Sequence, residues 1–275
     1  ITTYHTMRND AELICGQVYG GAVIDESHNI KNPATQIAQA VIKLRAVFRV
    51  ALSGTPVVNN TFDLYTQLNF AVPGLFGSRE FFKREYADPI DNKQDEEKIA
   101  TLKKLTAPFI LRRTKEQVAK DLPEKTESIL WCEMTGLQRT VYEEILTQTR
   151  SSIFLEIKKS GLAKSKLSIL QAMTKLRQVC SSPLLLPDKE LQHCTESIKS
   201  EVLMEELNNI LGSHKALVFS QFSSMLHLLA GECKKRGLDF YHFDGQTPPA
   251  KRTEMVNAFQ KEDNKVNLFL ISLKA

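Results

Sequence analysis

Val23-Ile24-Asp25-Glu26-Ser27-His28 leads from an apolar run directly into two adjacent carboxylates. Gly21 to Asp25 has the length and composition of a buried strand, so Asp25 and Glu26 are expected at its carboxyl end, where open α/β sheets bind ligands. A helix-period stretch from Thr35 to Leu44 follows, and then Phe48-Arg49-Val50-Ala51-Leu52-Ser53, a second buried-strand candidate. Strand, helix, strand predicts neighbouring parallel strands. Taken alone, two acids at a strand end are more often a solvated turn than a site. As a site they suit a divalent metal and a water, because the first acid of such a pair in nucleotidases holds Mg2+ through water and the second orients or deprotonates the attacking water.

Ala51-Leu52-Ser53-Gly54-Thr55-Pro56 ends the second strand in two hydroxyls flanking a glycine, with a proline that turns the chain away. One strand-helix-strand unit after Asp25, this loop should emerge beside Glu26, placing Ser53 and Thr55 in the same cleft. Asn60 to Phe70 reads as a helix entered through Asn59-Asn60 or Thr61 and closed by Pro73-Gly74. The acid-rich stretch from Asp88 to Glu97 is expected to be a solvated linker or an exposed helix start. Pro123, ahead of the extended run Ser128-Ile129-Leu130-Trp131-Cys132, marks a passage between lobes near residue 124. Leu137 to Ile157 and Lys166 to Cys180 then carry helical spacing and read as an insertion of about residues 135–180. A second alternation follows: strand Lys215 to Ser220, helix Met225 to Arg236, strand Asp239 to Phe243, helix Ala250 to Lys261 and strand Val266 to Ser272. The expected fold class is α/β, with two lobes of parallel strands covered by helices, plus helical insertions.

Composition narrows the function classes. The 275 residues are 42% hydrophobic and 25% charged, which excludes a wholly disordered chain. No apolar run approaches the roughly 18 residues of a membrane span, and Ile1-Thr2-Thr3-Tyr4 is no signal peptide, so a soluble intracellular protein with no membrane partner is expected. Five scattered cysteines without a CxxC pair argue against a disulfide framework and a zinc site. The net charge of +4 identifies no partner, but Arg150, Lys158, Lys159, Lys164, Lys166, Lys175 and Arg177 face only Glu156 between residues 150 and 180. Such a density binds phosphates by counterion release or forms a solvated helix face.

The order and spacing of these motifs resemble the Swi/Snf-type ATPases of helicase superfamily two. Asp25-Glu26-Ser27-His28 is similar to the family's DEAH-type Walker B box, and Leu52-Ser53-Gly54-Thr55-Pro56 with Asn59-Asn60 to its motif III. Ile1-Thr2-Thr3-Tyr4 resembles its first-lobe DNA-contact motif. Pro73-Gly74-Leu75-Phe76-Gly77-Ser78, Pro108-Phe109-Ile110-Leu111-Arg112-Arg113-Thr114-Lys115 and Asp121-Leu122-Pro123-Glu124-Lys125 resemble the stretch that separates this family from ordinary helicases. Leu176-Arg177-Gln178-Val179-Cys180, Val218-Phe219-Ser220-Gln221-Phe222 and Phe243-Asp244-Gly245 are similar to second-lobe motifs.

The resemblance implies two RecA-like lobes: residues 1–123 as the later part of the first, with its helical insertion, and residues 124–275 as the earlier part of the second. It implies a DNA-dependent ATPase that uses ATP and Mg2+, moves on double-stranded DNA and remodels complexes of DNA-bound proteins. Asp25 would hold Mg2+ through water and Glu26 would activate the attacking water. His28, Ser53, Gly54 and Thr55 would couple nucleotide state to the DNA-facing surface. Thr2, Thr3, Ser220, Gln221 and Gly245 would line the DNA groove, joined by Lys158, Lys159, Lys164 and Lys166, with Asp244 supporting a neighbouring donor. No GxxxxGK[ST] loop occurs in the 275 residues, so the phosphate cradle and the late arginine finger are expected elsewhere in a longer protein. A non-catalytic DNA-binding or scaffold fragment with a lost ATPase centre is the competing reading, and an RNA-directed helicase is disfavoured by Pro73 to Lys125. The phrases Gly161 to Lys166 and Phe269 to Ala275 lean toward bacterial members, implying a cytoplasmic, nucleoid-associated protein; a eukaryotic member would be nuclear.

Overall fold

A computed structural model describes residues 1–55, 60–134, 136–162, 164–187 and 194–273. Pro56, Asn59, Ala163, Lys274 and Ala275, each part of a motif read above, lie outside the described residues. The chain divides into two compact units, Ile1–Lys125 and Thr126–Ala275.

In the first unit, helices α1 (Tyr4–Asn9) and α2 (Ala11–Cys15) precede strand β1 (Val18–Ile24), and α3 (Gln36–Ile42) leads into β2 (Arg45–Ala51). The two strands pair in parallel, Val23 opposite Val50 and Ile24 opposite Ala51, as strand-helix-strand order requires. Thr35 caps α3, its hydroxyl accepting the N–H of Ala38 at 3.2 Å. Residues on one face of the strands, Ala22, Ile24 and Ala51, pack with Met7, Ile30, Ala38, Val41 and Phe70. The sequence reading took both strands as buried, but Val23 and Phe48 on the opposite face are 60% and 58% exposed, since the described helices pack on one side only. Gly21 lies on that open face beneath the Phe48 ring, where a Cβ would sit 2.2 Å from the ring.

Helix α4 (Phe62–Ala71) follows, entered through Asn60, whose side chain accepts the N–H of Asp63, while Thr61 makes no side-chain cap. A short α5 (Arg79–Phe82) runs through a π-turn, Lys83–Ala87, into α6 (Asp88–Lys93), and α7 (Glu96–Thr106) and α8 (Lys115–Val118) complete the unit. The stretch Asp88 to Glu97 therefore holds one whole helix and the start of another. Asp95 supplies the cap of the second by accepting the N–H of Lys98. Tyr65, Phe76, Phe82 and Leu102 form a largely aromatic second core under these helices.

The second unit begins with residues 126–134, irregular rather than paired, with Trp131 88% exposed. Helices α9 (Gly136–Ser160) and α10 (Lys166–Ser181), the two helical stretches expected here, pack against each other as a hairpin. Val141 and Ile145 pack on Val179, and Gln138 donates to the Val179 carbonyl at 2.7 Å. Helix α11 (Ile198–Ile210), β3 (Ala216–Ser220), α12 (Ser223–Lys235), β4 (Phe240–Phe243), α13 (Pro249–Gln260) and β5 (Leu268–Ser272) follow. All three strands are parallel in the order β3-β5-β4, which buries Leu268, Phe269 and Leu270 on the central strand. Among the described residues no helix is long and apolar enough to cross a membrane.

Candidate functional site

The acids stand where the strand geometry puts them. β1 ends at Ile24, and the backbone leaves it through Glu26 at φ 48 and ψ 51, the left-handed region that non-glycine residues rarely occupy. Holding such a residue costs on the order of 1 kcal/mol and persists where neighbouring contacts enforce it. Those contacts are present. The Leu52 N–H donates to the Ile24 carbonyl and the Ser27 N–H to the Leu52 carbonyl, both at 2.8 Å, so the loop after β1 is stitched to the loop after β2. The Glu26 N–H donates to Asp25 Oδ1 at 2.8 Å, and the Tyr4 hydroxyl donates to the Asp25 carbonyl at 2.5 Å. Burial first, and then the charges of Asp25 and Glu26, push the Tyr4 phenol up to about 12, so it stays a donor at neutral pH.

Ser27 is buried and donates to Gln67 Oε1 of α4 at 2.6 Å, while Thr66 donates to the Lys31 carbonyl at 3.0 Å. Helix α4 is thus the floor that holds the turn Ser27–Ile30. His28 Nδ1 lies 3.1 Å from Glu26 Oε2, within ion-pair distance but without hydrogen-bond geometry, so attraction there requires a protonated imidazole. Asp25 and Glu26 are both exposed, and Asp25 Oδ1 is already engaged by the Glu26 N–H. Ser53 is half-buried; Gly54 and Thr55 are exposed. The Thr55 N–H donates to Ser53 Oγ at 3.1 Å, a compact turn in the loop joined to Ser27. The structure therefore brings Asp25, Glu26, Ser27, His28 and the start of the Ser53 loop to one sheet edge. Sequence reading placed Tyr4 in a DNA-contact motif but not at this site, and it missed Gln67; only the three-dimensional contacts supply those signals.

Thr3 caps α1, its hydroxyl accepting the Thr6 N–H at 3.2 Å, and Thr2 beside it is exposed. In the second unit Lys158, Lys159, Lys164 and Lys166 are all exposed around the tip of the α9–α10 hairpin, with the Lys158 ammonium 4.5 Å from the centre of the Phe154 ring. Ser220 closes its own turn, accepting the Phe222 N–H at 3.2 Å, and Gln221 accepts from the Arg177 guanidinium of α10. These residues border a cavity of about 350 Å³ lined also by Lys199 and Ser181. Asp244 Oδ1 accepts the Gln246 N–H at 2.9 Å, and its backbone carbonyl accepts from Arg252 at 2.8 Å, which shapes the turn carrying exposed Gly245. The Gln246 hydrogen bond chiefly holds the Asp244 carboxyl below the usual range, helped by His242 and His227.

His242 lies edge-on to His227, ring centres 5.1 Å apart, and its buried Nε2 has no hydrogen-bond partner among the described residues. Burial chiefly, with the nearby His227, depresses its pKa below 6.5, against the smaller opposing pull of Asp244. A depressed histidine contributes stability that is full above the unfolded value and lost as pH falls through it toward the folded value. Acidification from about pH 7.5 to about pH 5.5 should therefore lower the melting temperature of the second unit more in wild type than in His242→Phe. Equal shifts in the two would remove His242 from the acid response.

A nuclear protein, STH1/NPS1, of Saccharomyces cerevisiae is 29% identical over 299 residues, covering all of this chain and 22% of that protein. A Mycoplasma pneumoniae protein described as an uncharacterized ATP-dependent helicase is 32% identical over 277 residues, covering all of this chain and 25% of that protein. The chain thus spans about a quarter of the length of the curated relatives it matches. Among solved structures, a Sulfolobus solfataricus SWI2/SNF2 ATPase core in complex with dsDNA is 31% identical, with a TM-score of 0.45, over 98% of this chain and 57% of that one. The helicase conserved C-terminal domain matches residues 198–275, and the SNF2-related domain matches residues 1–185. With the latter match extending over more than half of its length, the chain belongs to the SNF2-related family of helicase superfamily two.

Proposed function

We propose that this chain is part of an ATP-driven motor that moves on double-stranded DNA and remodels the complexes that proteins form on it. The observation that carries the reading is the pairing of Asp25 and Glu26 on a left-handed turn, stitched by main-chain hydrogen bonds to the Ser53 loop. A hydrolytic site needs a carboxylate for Mg2+, a second for the water, and a neighbouring loop that senses the outcome. Two adjacent exposed carboxylates at the end of β1 suit Mg2+, which characteristically keeps several waters and takes one or two carboxylates plus substrate phosphates. Asp25 is exposed at the strand end and would hold the ion through water. Bound there, the ion would offset charge developing on the transferred phosphoryl group.

Glu26 would accept the proton of the attacking water. His28, within ion-pair distance of the Glu26 carboxylate, and the Ser53-Gly54-Thr55 turn would pass the change in the site to the DNA-facing surface. Thr2 and Thr3 at the start of α1, Ser220, Gln221 and Gly245 at strand ends of the second unit, and the exposed lysines of the hairpin would meet the DNA backbone. Phosphate contacts of this kind give affinity without sequence preference, as a motor that steps along DNA requires. The names of relatives support the reading, since they include an ATP-dependent helicase and a SWI/SNF-related regulator of chromatin from Homo sapiens that is 30% identical over all of this chain.

The test is ATP hydrolysis by the full-length protein with double-stranded DNA, single-stranded DNA and RNA. Double-stranded DNA should stimulate most; stimulation by RNA alone, or none by any nucleic acid, would overturn the proposal. Neutral replacement of Lys158, Lys159, Lys164 and Lys166 should also flatten the salt dependence of DNA binding, by about 0.9 in the log–log slope per lost phosphate contact. An unchanged slope in titrations at several salt concentrations would leave the lysines as a solvated face.

A further inference from the structure

Tyr4 is not among the residues to which the preceding reading assigns a role, yet its hydroxyl reaches the catalytic turn. It follows Thr3, the N-cap of α1, and its ring is half-buried beside the core residues Met7 and Ile24. The hydroxyl donates to the Asp25 carbonyl at 2.5 Å. That carbonyl belongs to the Asp25–Glu26 peptide group, whose N–H donates to Asp25 Oδ1 at 2.8 Å. Both ends of one peptide unit are therefore clamped, the oxygen by Tyr4 and the nitrogen by the Asp25 carboxylate. It is the peptide at which the chain leaves the strand for the left-handed conformation of Glu26.

The orientation of this peptide sets two things at once. It fixes the direction in which the Glu26 side chain departs, and it ties up one carboxylate oxygen of Asp25. A displacement of α1 would pull on the Tyr4 hydroxyl and rotate the peptide. Helix α1 has six residues, with Thr2 and Thr3 at its start and Met7 in the core, so force applied at Thr2 and Thr3 reaches Tyr4 through a single short helix.

We infer that Tyr4 is a positioning residue that couples contact of DNA with Thr2 and Thr3 to the placement of Asp25 and Glu26. The inference rests on the proposed DNA-dependent hydrolysis and names the link through which DNA would act. Two hydrogen bonds hold this peptide group, one at each end, and losing the Tyr4 bond would free its oxygen. With both bonds made the carboxylates are fixed, and positioning accounts for much of the rate of phosphoryl transfer.

The test is Tyr4→Phe in the full-length protein, a change that removes one hydroxyl and keeps the packed ring. The kcat with saturating double-stranded DNA should fall about 5- to 10-fold, the loss of one hydrogen bond, with the KM for ATP and the Kd for DNA within about twofold of wild type. The ratio of DNA-stimulated to basal turnover should fall as well. Adding Tyr4→Phe to Glu26→Gln should cost less than the sum of the two single changes, because both bear on Glu26. Wild-type stimulation in Tyr4→Phe, full additivity in the double variant, or a loss confined to KM or to DNA affinity would overturn the inference and leave the motor reading standing. A wild-type protein that DNA does not stimulate would overturn both.

Discussion

Glu26→Gln in the full-length protein is expected to keep ATP and Mg2+ binding and to lose about two to four orders of magnitude in turnover, the range of a missing general base. Glutamine fills the same volume and keeps a carbonyl oxygen for orienting water, but it takes up no proton. The turn around it should survive, because the bonds that enforce φ 48 at Glu26 come from main-chain groups, Tyr4 and Asp25 rather than from the Glu26 carboxylate. Loss of turnover with unchanged nucleotide affinity therefore reports chemistry and not folding. Calorimetric titration with a non-hydrolysable ATP analogue, beside phosphate release, separates the two. Wild-type hydrolysis in the variant would remove Glu26 from the mechanism.

The second large effect is on stability. Phe70 of α4 is fully buried against the core formed by Ile24, Ile30 and Val41, and the Arg49 guanidinium lies 5.7 Å from the centre of its ring. Phe70→Ala would remove that ring and leave a cavity at the point where α4 meets the sheet, and such truncations cost about 3–5 kcal/mol. Native domains are stable by only about 5–15 kcal/mol, so the first unit should become marginal. Denaturant unfolding should show a midpoint shift in the first unit without a change in slope, whereas a shift below about 1 kcal/mol would mean that the site collapses around the gap. Because α4 also carries Gln67, which holds Ser27, hydrolysis should fall together with stability.

The alternation of strands and helices was legible because each segment has its own period. Thr35 to Leu44 and Val266 to Ser272 lie within two residues of observed elements, and Gly21 to Asp25 falls on a strand that begins three residues earlier, at Val18, since apolar residues at spacing two or 3.6 leave few alternatives. Short helices were not legible. Helices α1, α2 and α5 span too few residues to show a period, and tertiary packing of Met7 and Phe82 holds two of them in place. The open face of β1 and β2 was misread as buried because Val23 and Phe48 are as apolar as residues that do face a core.

The carboxylate pair was visible as a pattern, and its position at a strand end followed from the alternation. What the sequence could not show was the left-handed backbone of Glu26, which depends on hydrogen bonds from residues 21 positions before Asp25 and 25 positions after Ser27. Tyr4 was legible only as the last residue of the Ile1-Thr2-Thr3-Tyr4 motif and Gln67 only as a helix residue, because nothing in the sequence sets them against Asp25 and Ser27 until the fold does.

Motion along double-stranded DNA is the central claim, and displacement of the third strand of a DNA triplex by the full-length protein measures it directly. The account predicts displacement that requires ATP hydrolysis, is absent in Glu26→Gln, and leaves the underlying duplex paired. Hydrolysis stimulated by double-stranded DNA without any displacement of the third strand, or equal displacement with a non-hydrolysable analogue, would contradict it.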